Sequence, residues 1–463
     1  MISEDFFVSI HDAFRLEWKF NYNFLKDNKN VTKYRIQTWF SIPRSLGILE
    51  DTYNKEKFYN DLQHYLRLKT PYVPLKDFLS SNDNIFNEWK KAVLSGDEEK
   101  IINMTRILGN VFKTACRDEP EKRINRLAFI LKEASLRFKL LPLNVPEFAE
   151  KIKSSESIRY TYERTAKYIS LLTEKTCFKI LEKKSSHKKE LVDLISQEET
   201  WLKKNFKDIK KTPEEFLLDF SGLKKEIASS LFLHVRRFDI TKVSENIVVA
   251  LSAAIAMALF TIFSYFANWK FVPYSTPFFL IIIIGYVFKD RLKDLINSYI
   301  KKEFFRTSFD HEIIIRGPDR LATPMGTLKE SVFFTSTDHI PQKLKSVYEN
   351  NLLPLSQFLK DIVISYVREV TLYSKRLHKA YPFFSGVVDI LRWNVNNILT
   401  RMDDPESKVW RLKQKRVFSI KTLRLYPVII GISVLYNKTQ IFFKVYNLFL
   451  NRNGIVKLEE YKL

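Results

Sequence analysis

The first long stretch of the chain alternates apolar and polar residues. Phe14, Leu16, Trp18, Phe20, Tyr22 and Phe24 are separated by Arg15, Glu17, Lys19, Asn21 and Asn23. A period of two belongs to a strand with one buried face. Residues 26–30 supply turn chemistry, and Tyr34, Ile36, Phe40 and Ile42 carry a second apolar face up to Pro43. The pattern predicts a β-hairpin with strands at 13–25 and 31–42.

From about residue 84 to 233 the period lengthens. Ile124, Leu127, Ile130, Leu131, Ala134, Phe138 and Leu141 fall at helical spacing, and 160–184 and 188–206 read as longer amphipathic helices. In the C-terminal region, 312–315 reads as a short strand, and Leu355, Phe358, Leu359, Ile362 and Tyr366 mark a helix. Residues 384–402 read as another helix, and 422–436 and 440–450 as strands, with Pro427 demoting the first to an edge or bulge. Asn451-Arg452-Asn453-Gly454 is a hairpin turn before a last strand at 455–461.

The middle of the chain breaks both periods. Residues 247–267 and 271–288 carry no charge, and only Asn268, Trp269 and Lys270 lie between them. As a helix the first would measure about 31 Å, against roughly 30 Å for a bilayer's hydrocarbon core. The expectation is a transmembrane two-helix hairpin. Tyr265, Phe266, Trp269 and Tyr274 would sit at headgroup level by the turn. Arg236, Arg237 and Lys242 precede the first span, and Lys289, Arg291, Lys293, Lys301, Lys302 and Arg306 follow the second. That bias places both termini in the cytoplasm. The alternative, a buried helical hairpin, would keep a polar stripe that the second segment lacks. The start Met-Ile-Ser-Glu-Asp carries no basic segment, so no cleaved signal is expected. A bias to Lys, Asn and Ile suggests a bacterial source and hence an inner membrane. Beyond Lys289 a stripe of Leu292, Leu295, Ile296, Tyr299 and Ile300 continues the helix along the membrane surface or onto a cytoplasmic body.

Small residues in the two segments suggest close helix contact. Ala250, Ala254 and Ala258 lie four apart, and Gly285 stands in the second segment. They would pack the two helices on each other, or form a homo-oligomer. Neither segment contains an ionisable residue, which argues against coupled transport.

The predicted fold class is therefore α+β and predominantly helical, with the transmembrane hairpin in the middle and β-hairpins near both ends that share one cytoplasmic sheet. The expected divisions are 1–80, 81–245, 246–288 and 289–463.

Composition narrows the chemistry. The 463 residues are 45% hydrophobic, enough to bury a core, and the net charge is +23. Two cysteines, Cys116 and Cys177, build neither a disulfide framework nor a Cys-based zinc site. With ten glycines and no Gly-rich nucleotide motif, no phosphate loop is expected, and zinc-helix, EF-hand and nucleophile-elbow motifs are lacking too. Four weak constellations remain: Asp310-His311-Glu312, the basic turn 316–320, Asp403-Asp404, and Asp338-His339. Each reads as surface or turn polarity, so no catalytic residue, cofactor or metal ligand is assigned.

The densest basic run is Lys408, Arg411, Lys413, Lys415, Arg416, Lys421 and Arg424, with no acid among them. It suits an anionic lipid surface. Nucleic acid would also attract it, with Trp410, Phe418 and Tyr426 to stack on bases, but no nucleic-acid fold motif accompanies the charge. The sequence thus leads to a membrane-anchored cytoplasmic scaffold or binding protein whose partners are the bilayer and its anionic headgroups. The alternatives are a membrane-tethered enzyme on a lipid or envelope substrate, and an oligomeric pore.

Overall fold

The computed structural model describes residues 6–24, 30–118, 124–183, 188–206, 212–272, 275–307, 309–317, 323–336, 340–350, 362–413 and 416–461. The chain opens with β1 (Phe6–Asp12), β2 (Arg15–Asn23), β3 (Thr32–Ile42), α1 (Lys55–Asp61) and β4 (Leu62–Leu68). A helical body follows: α2 (Asn84–Ser95), α3 (Glu98–Asp118), α4 (Ile124–Lys139), α5 (Leu141–Asn144), α6 (Pro146–Ser154), α7 (Glu156–Lys183), α8 (Lys188–Asn205) and α9 (Pro213–Ala228). β5 (His234–Asp239) runs into α10 (Ile240–Lys270) and α11 (Thr276–Thr307). The remainder is β6 (His311–Arg316), β7 (Gly326–Ser336), α12 (Gln342–Asn350), β8 (Ile362–Leu372), α13 (Ser374–Ala380), β9 (Gly386–Asn394) and α14 (Asn396–Leu399), then β10 (Glu406–Lys413), β11 (Arg416–Leu423), β12 (Tyr426–Tyr436), β13 (Thr439–Asn451) and β14 (Gly454–Tyr461).

Strands from distant parts of the chain interleave. One sheet has eight strands in the order β14-β13-β12-β3-β8-β7-β6-β5, and a second has four in the order β1-β2-β9-β4. All neighbours in both are antiparallel. Bulky rings fill the space between the sheets. Phe40 of β3 lies 5.8 Å from Trp18 of β2 and 4.6 Å from Trp393 of β9, centroid to centroid, and Phe6 of β1 lies 4.9 Å from Phe442 of β13. At the head of β9 the backbones approach so closely that a Cβ on Gly386 would sit 2.6 Å from the Tyr22 carbonyl oxygen.

The expected fold class is corrected on several points. The chain is about 52% helix and 32% strand, and the strands form large antiparallel sheets of eight and four, not merely β-hairpins near the two ends. Ile362 and Tyr366 belong to β8, and the stretch read as a helix at 384–402 contains β9. Both are central strands covered on their two faces: Val363, Ile364, Tyr366 and Val367 are all buried. Such a strand is a continuous apolar run, which periodicity cannot tell from a buried helix. β2 and β3 exist as expected strands but do not pair with each other. β2 pairs with β1 and β9, and β3 is held between β8 and β12.

The two-span hairpin is corrected as well. Only one helix among the described residues is long and apolar enough to cross a membrane, the part of α10 from Glu245 to Lys270, with a mean hydropathy of 2.4. α11 begins at Thr276, and its charge-free part ends at Phe288, before Lys289, Asp290 and Arg291. That leaves about 20 Å of apolar helix, short of a roughly 30 Å core. Phe271 and Val272, counted in the expected span, precede the helix. The helical body extends the same core, with Trp89 stacked on Phe86 at 5.6 Å and edge-on to Phe148 at 4.7 Å.

Truncating the central ring of the inter-sheet layer tests this packing. Phe40→Ala should cost about 3–5 kcal/mol, read as a lower denaturant midpoint of the detergent-solubilised chain. An unchanged midpoint would mean that the sheets are not held through this layer.

Candidate functional site

α10 carries the largest unsatisfied demand in the molecule. Only 17% of its apolar stretch is buried, and Ile247, Leu251, Ile255, Leu259, Ile262 and Phe266 all face outward. The residues it does bury are Val248, Ser252, Ala256 and Ala267. α11 lies against it. The ring of Phe260 meets that of Tyr286 edge-on at 6.1 Å, and a Cβ on Gly285 would come within 2.5 Å of Phe263 Cε1. Gly285 thus sits in the helix contact, whereas Ala250, Ala254 and Ala258 stay exposed and take no part in it. The contact uses Ala256 and Ser252, two residues off the alanine register.

The helix pair has a fixed root. β5 feeds α10, α11 returns to β6, and β5 and β6 are neighbours, with Asp239 opposite His311 and His234 opposite Arg316. The Ile240 N–H donates to the Asp310 carbonyl at 3.1 Å. Both ends of the pair therefore lie side by side at the edge of the eight-stranded sheet.

A buried ionic seam runs inward from this root. Asp310 is buried, not at the surface as its sequence context suggested. Its carboxylate accepts from Lys55 Nζ at 2.8 Å, Tyr59 Oη at 2.9 Å and the Val332 N–H at 2.8 Å. The Tyr59 ring lies edge-on to His311 at 4.4 Å, so one tyrosine touches both neighbours. Arg237 Nη2 reaches Glu330 Oε1 at 2.9 Å and His311 Nδ1 at 3.0 Å. Glu330 accepts from Tyr366 Oη at 2.8 Å, and Tyr366 in turn accepts from Arg368 Nη1 at 3.0 Å. Arg368, with no exposed surface, reaches Asp389 Oδ2 at 3.1 Å and His64 Nε2 at 2.8 Å. Tyr22 Oη donates to Asp389 at 2.7 Å and ends the chain of contacts on the second sheet.

The electrostatics follow from burial and pairing. Burial opposes ionisation of Asp389, yet the Arg368 charge, with His64 close by and a hydrogen bond from Tyr22, holds its carboxyl below the usual range. Burial also opposes the Arg368 charge, which Asp389 and the surrounding tyrosine oxygens more than restore. Burial pushes the Tyr22, Tyr59 and Tyr366 hydroxyls up, so they act as donors at neutral pH. Burial and the Arg237 charge pull His311 down, leaving its imidazole neutral. Each acid in the seam has a cation: Lys55 for Asp310, Arg237 for Glu330 and Arg368 for Asp389. A charge-paired set of this kind joins two sheets in fixed register, although Arg368 Nε and Asp389 Oδ1 are buried without a hydrogen-bond partner among the described residues.

The other sequence candidates are scattered. Glu312 pairs with Lys329, Asp403 with Arg424 and Tyr426, and Asp404 with Arg452. Asp338, His339 and most of the basic turn 316–320 lie outside the described residues, as does Lys415. Lys408, Arg411, Lys413, Arg416 and Lys421 lie on β10 and β11, and Arg424 follows β11. Among the described residues no group of His, Cys, Asp and Glu could hold a metal ion. A cavity of about 430 Å³ opens between α3 and the segment after α13, with Met104, Ile107, Phe383 and Phe384 against Glu88 and Asp97, away from the seam.

A second buried acid lies in the helical body, where no sequence motif signals it. Glu198 accepts from Ser135 at 2.9 Å and is also held by Ser170 and Lys139. Nearby, Glu174 Oε1 has no hydrogen-bond partner among the described residues. Burial, reinforced by the Glu199 and Glu198 charges, pushes its carboxyl up to about 7.

No protein family, curated protein or solved structure matches this chain.

Two measurements test these clusters. Arg368→Met strands the Asp389 charge and should cost about 3–5 kcal/mol. Arg368→Met with Asp389→Leu should recover most of that loss in unfolding experiments, and no recovery would show that the ion pair is not the coupling. Glu174 binds its proton more tightly folded (about 7) than at its ordinary value of 4.5. Stability therefore falls as pH rises through that window. Glu174→Gln should flatten the pH–stability profile there, and an unchanged slope would refute the assignment.

Proposed function

We propose that the protein is anchored in a lipid bilayer through α10, with α11 packed on it and returning the chain to β6 on the same face, and presents its two-sheet body as a scaffold or binding platform on the cytoplasmic side. The observation that carries this is the exposure of α10. Its apolar stretch from Glu245 to Lys270 is long enough to cross a bilayer, and little of it is covered by the rest of the chain. In water, exposed apolar area costs roughly 25 cal/mol per Å², which hydrocarbon removes. A soluble core helix of the same composition would be enclosed instead.

The charge around α10 supports the side. The root carries Arg236 and Arg237 on β5, whereas the far end of α10 has Lys270. Basic residues favour the cytoplasmic face. The seam at the root, with its charges matched in pairs, supports a structural role over catalysis. The partner of this reading is the bilayer, and what the platform holds is a further protein or lipid.

Membrane fractionation tests the proposal. The full chain should stay with membranes through alkaline carbonate and high salt, and float with them on a gradient. Ile255→Lys with Leu259→Asp puts two charges in mid-helix, at about 2.5–3.5 kcal/mol each, and should move most of the chain to the soluble or aggregated fraction. Wild-type chain in the supernatant of a detergent-free lysate would overturn the reading.

A further inference from the structure

Among the described residues, the two-stranded ribbon formed by β10 and β11 is bonded to no other strand. Its register sets Lys408 opposite Lys421, Trp410 opposite Ser419 and Leu412 opposite Val417. Directly opposed side chains share a face. One face therefore carries Lys408, Trp410, Leu412, Val417, Lys421 and Leu423, and the other Val409, Arg411, Arg416, Phe418 and Ile420. Both faces are open. Trp410 is 66% exposed, Leu412 72% and Val417 67%, the last two nearest the tip.

A lone ribbon is barely stable in water, and one with apolar residues on both faces has no layer of its own to cover either. Its charge says what covers it. Near the base Lys421 pairs with Glu406, and Arg424 with Asp403 at 2.7 Å. Lys408, level with Lys421, and further out Arg411 and Arg416 have no carboxylate partner among the described residues. Uncompensated positive charge thus coincides with the most exposed aliphatic side chains. That pairing matches the boundary of an anionic leaflet, where cations meet headgroups and aliphatic tips enter the acyl region. It matches nucleic acid less well: Trp410 and Phe418 offer rings to a base, but the side chains nearest the tip, Leu412 and Val417, are aliphatic.

We propose that the ribbon is a second membrane contact, its tip inserted among the headgroups of an anionic leaflet of the bilayer that holds α10. This rests on the anchored reading above and names the lipid class it would meet. Tethering by α10 keeps the ribbon at high local concentration near the surface, so weak insertion suffices.

The test uses the full chain with Cys116→Ser and Leu412→Cys, labelled with an environment-sensitive fluorophore. Cys177 can stay, since it is fully buried and its thiol is pushed up to about 12. The protein is reconstituted into vesicles of phosphatidylcholine alone or mixed with phosphatidylserine. The expected result is a several-fold rise in emission with phosphatidylserine, quenched by shallow spin-labelled lipid. Lys408→Gln, Arg411→Gln and Arg416→Gln, all exposed and outside the core, should each weaken the response about five-fold. Flotation of the same samples separates the two readings. Chain that floats while the label stays water-like overturns the ribbon proposal and leaves the anchor standing. Chain that does not float overturns both. A label that responds to a single-stranded oligonucleotide and not to phosphatidylserine overturns the lipid assignment in favour of nucleic acid.

Discussion

The short ladder between β5 and β6 is the contact on which the architecture depends. It pins both ends of the long apolar insertion, α10 and α11, to one edge of the eight-stranded sheet. Without it the helices would be a loose appendage. With it, the exposed surface of α10 has a defined origin, and the seam from Asp310 to Asp389 begins where the insertion ends. Lys55, Tyr59 and Val332 fasten Asp310 beside that root from α1 and β7, so the join draws on several elements at once.

The seam and the aromatic layer divide the work of holding the sheets. Phe40 with Trp18 and Trp393 supplies non-directional burial, and its rings would tolerate small slips in register. Arg368 and Asp389 would not. Each loses a charged partner if β8 and β9 shift, and a stranded buried charge costs more than the pair contributes. Polar groups placed between otherwise apolar sheets thus select one alignment of two surfaces that packing alone leaves less defined.

Sequence periodicity reached some of this and missed the rest for identifiable reasons. The alternation from Phe14 to Phe24 marks β2 because that strand has one face against the ring layer and one face less covered. β8 and β9 escaped because they are covered on both sides, which erases alternation. The pairing of β2 with β9 and of β3 with β8 and β12 is non-local, and nothing in a local window encodes it. α10 was legible because charge-free length is a one-dimensional property. The start of α11 was overread because charge-free residues were counted from Phe271, before the helix begins. Asp310 and His311 read as surface polarity, yet Tyr59, from a helix far earlier in the chain, touches both. Among the predicted small residues, four-residue spacing selected Ala250, Ala254 and Ala258, but the face turned to α11 is set by where β5 releases the chain, and it passes through Ser252 and Ala256.

The order of strands in the larger sheet bears on how the chain is made. β3 lies between β8 and β12, so it gains its first neighbour only after more than three hundred further residues have left the ribosome, and its second later still. α10 and α11 are complete well before either strand exists. During synthesis, then, the apolar insertion seeks its environment while the centre of the sheet is still missing and the N-terminal strands have open edges, the state most prone to wrong pairing. On the anchored reading proposed above, early capture of α10 would remove the most apolar helix from that interval and leave the late-arriving strands to close the sheet without competition from it.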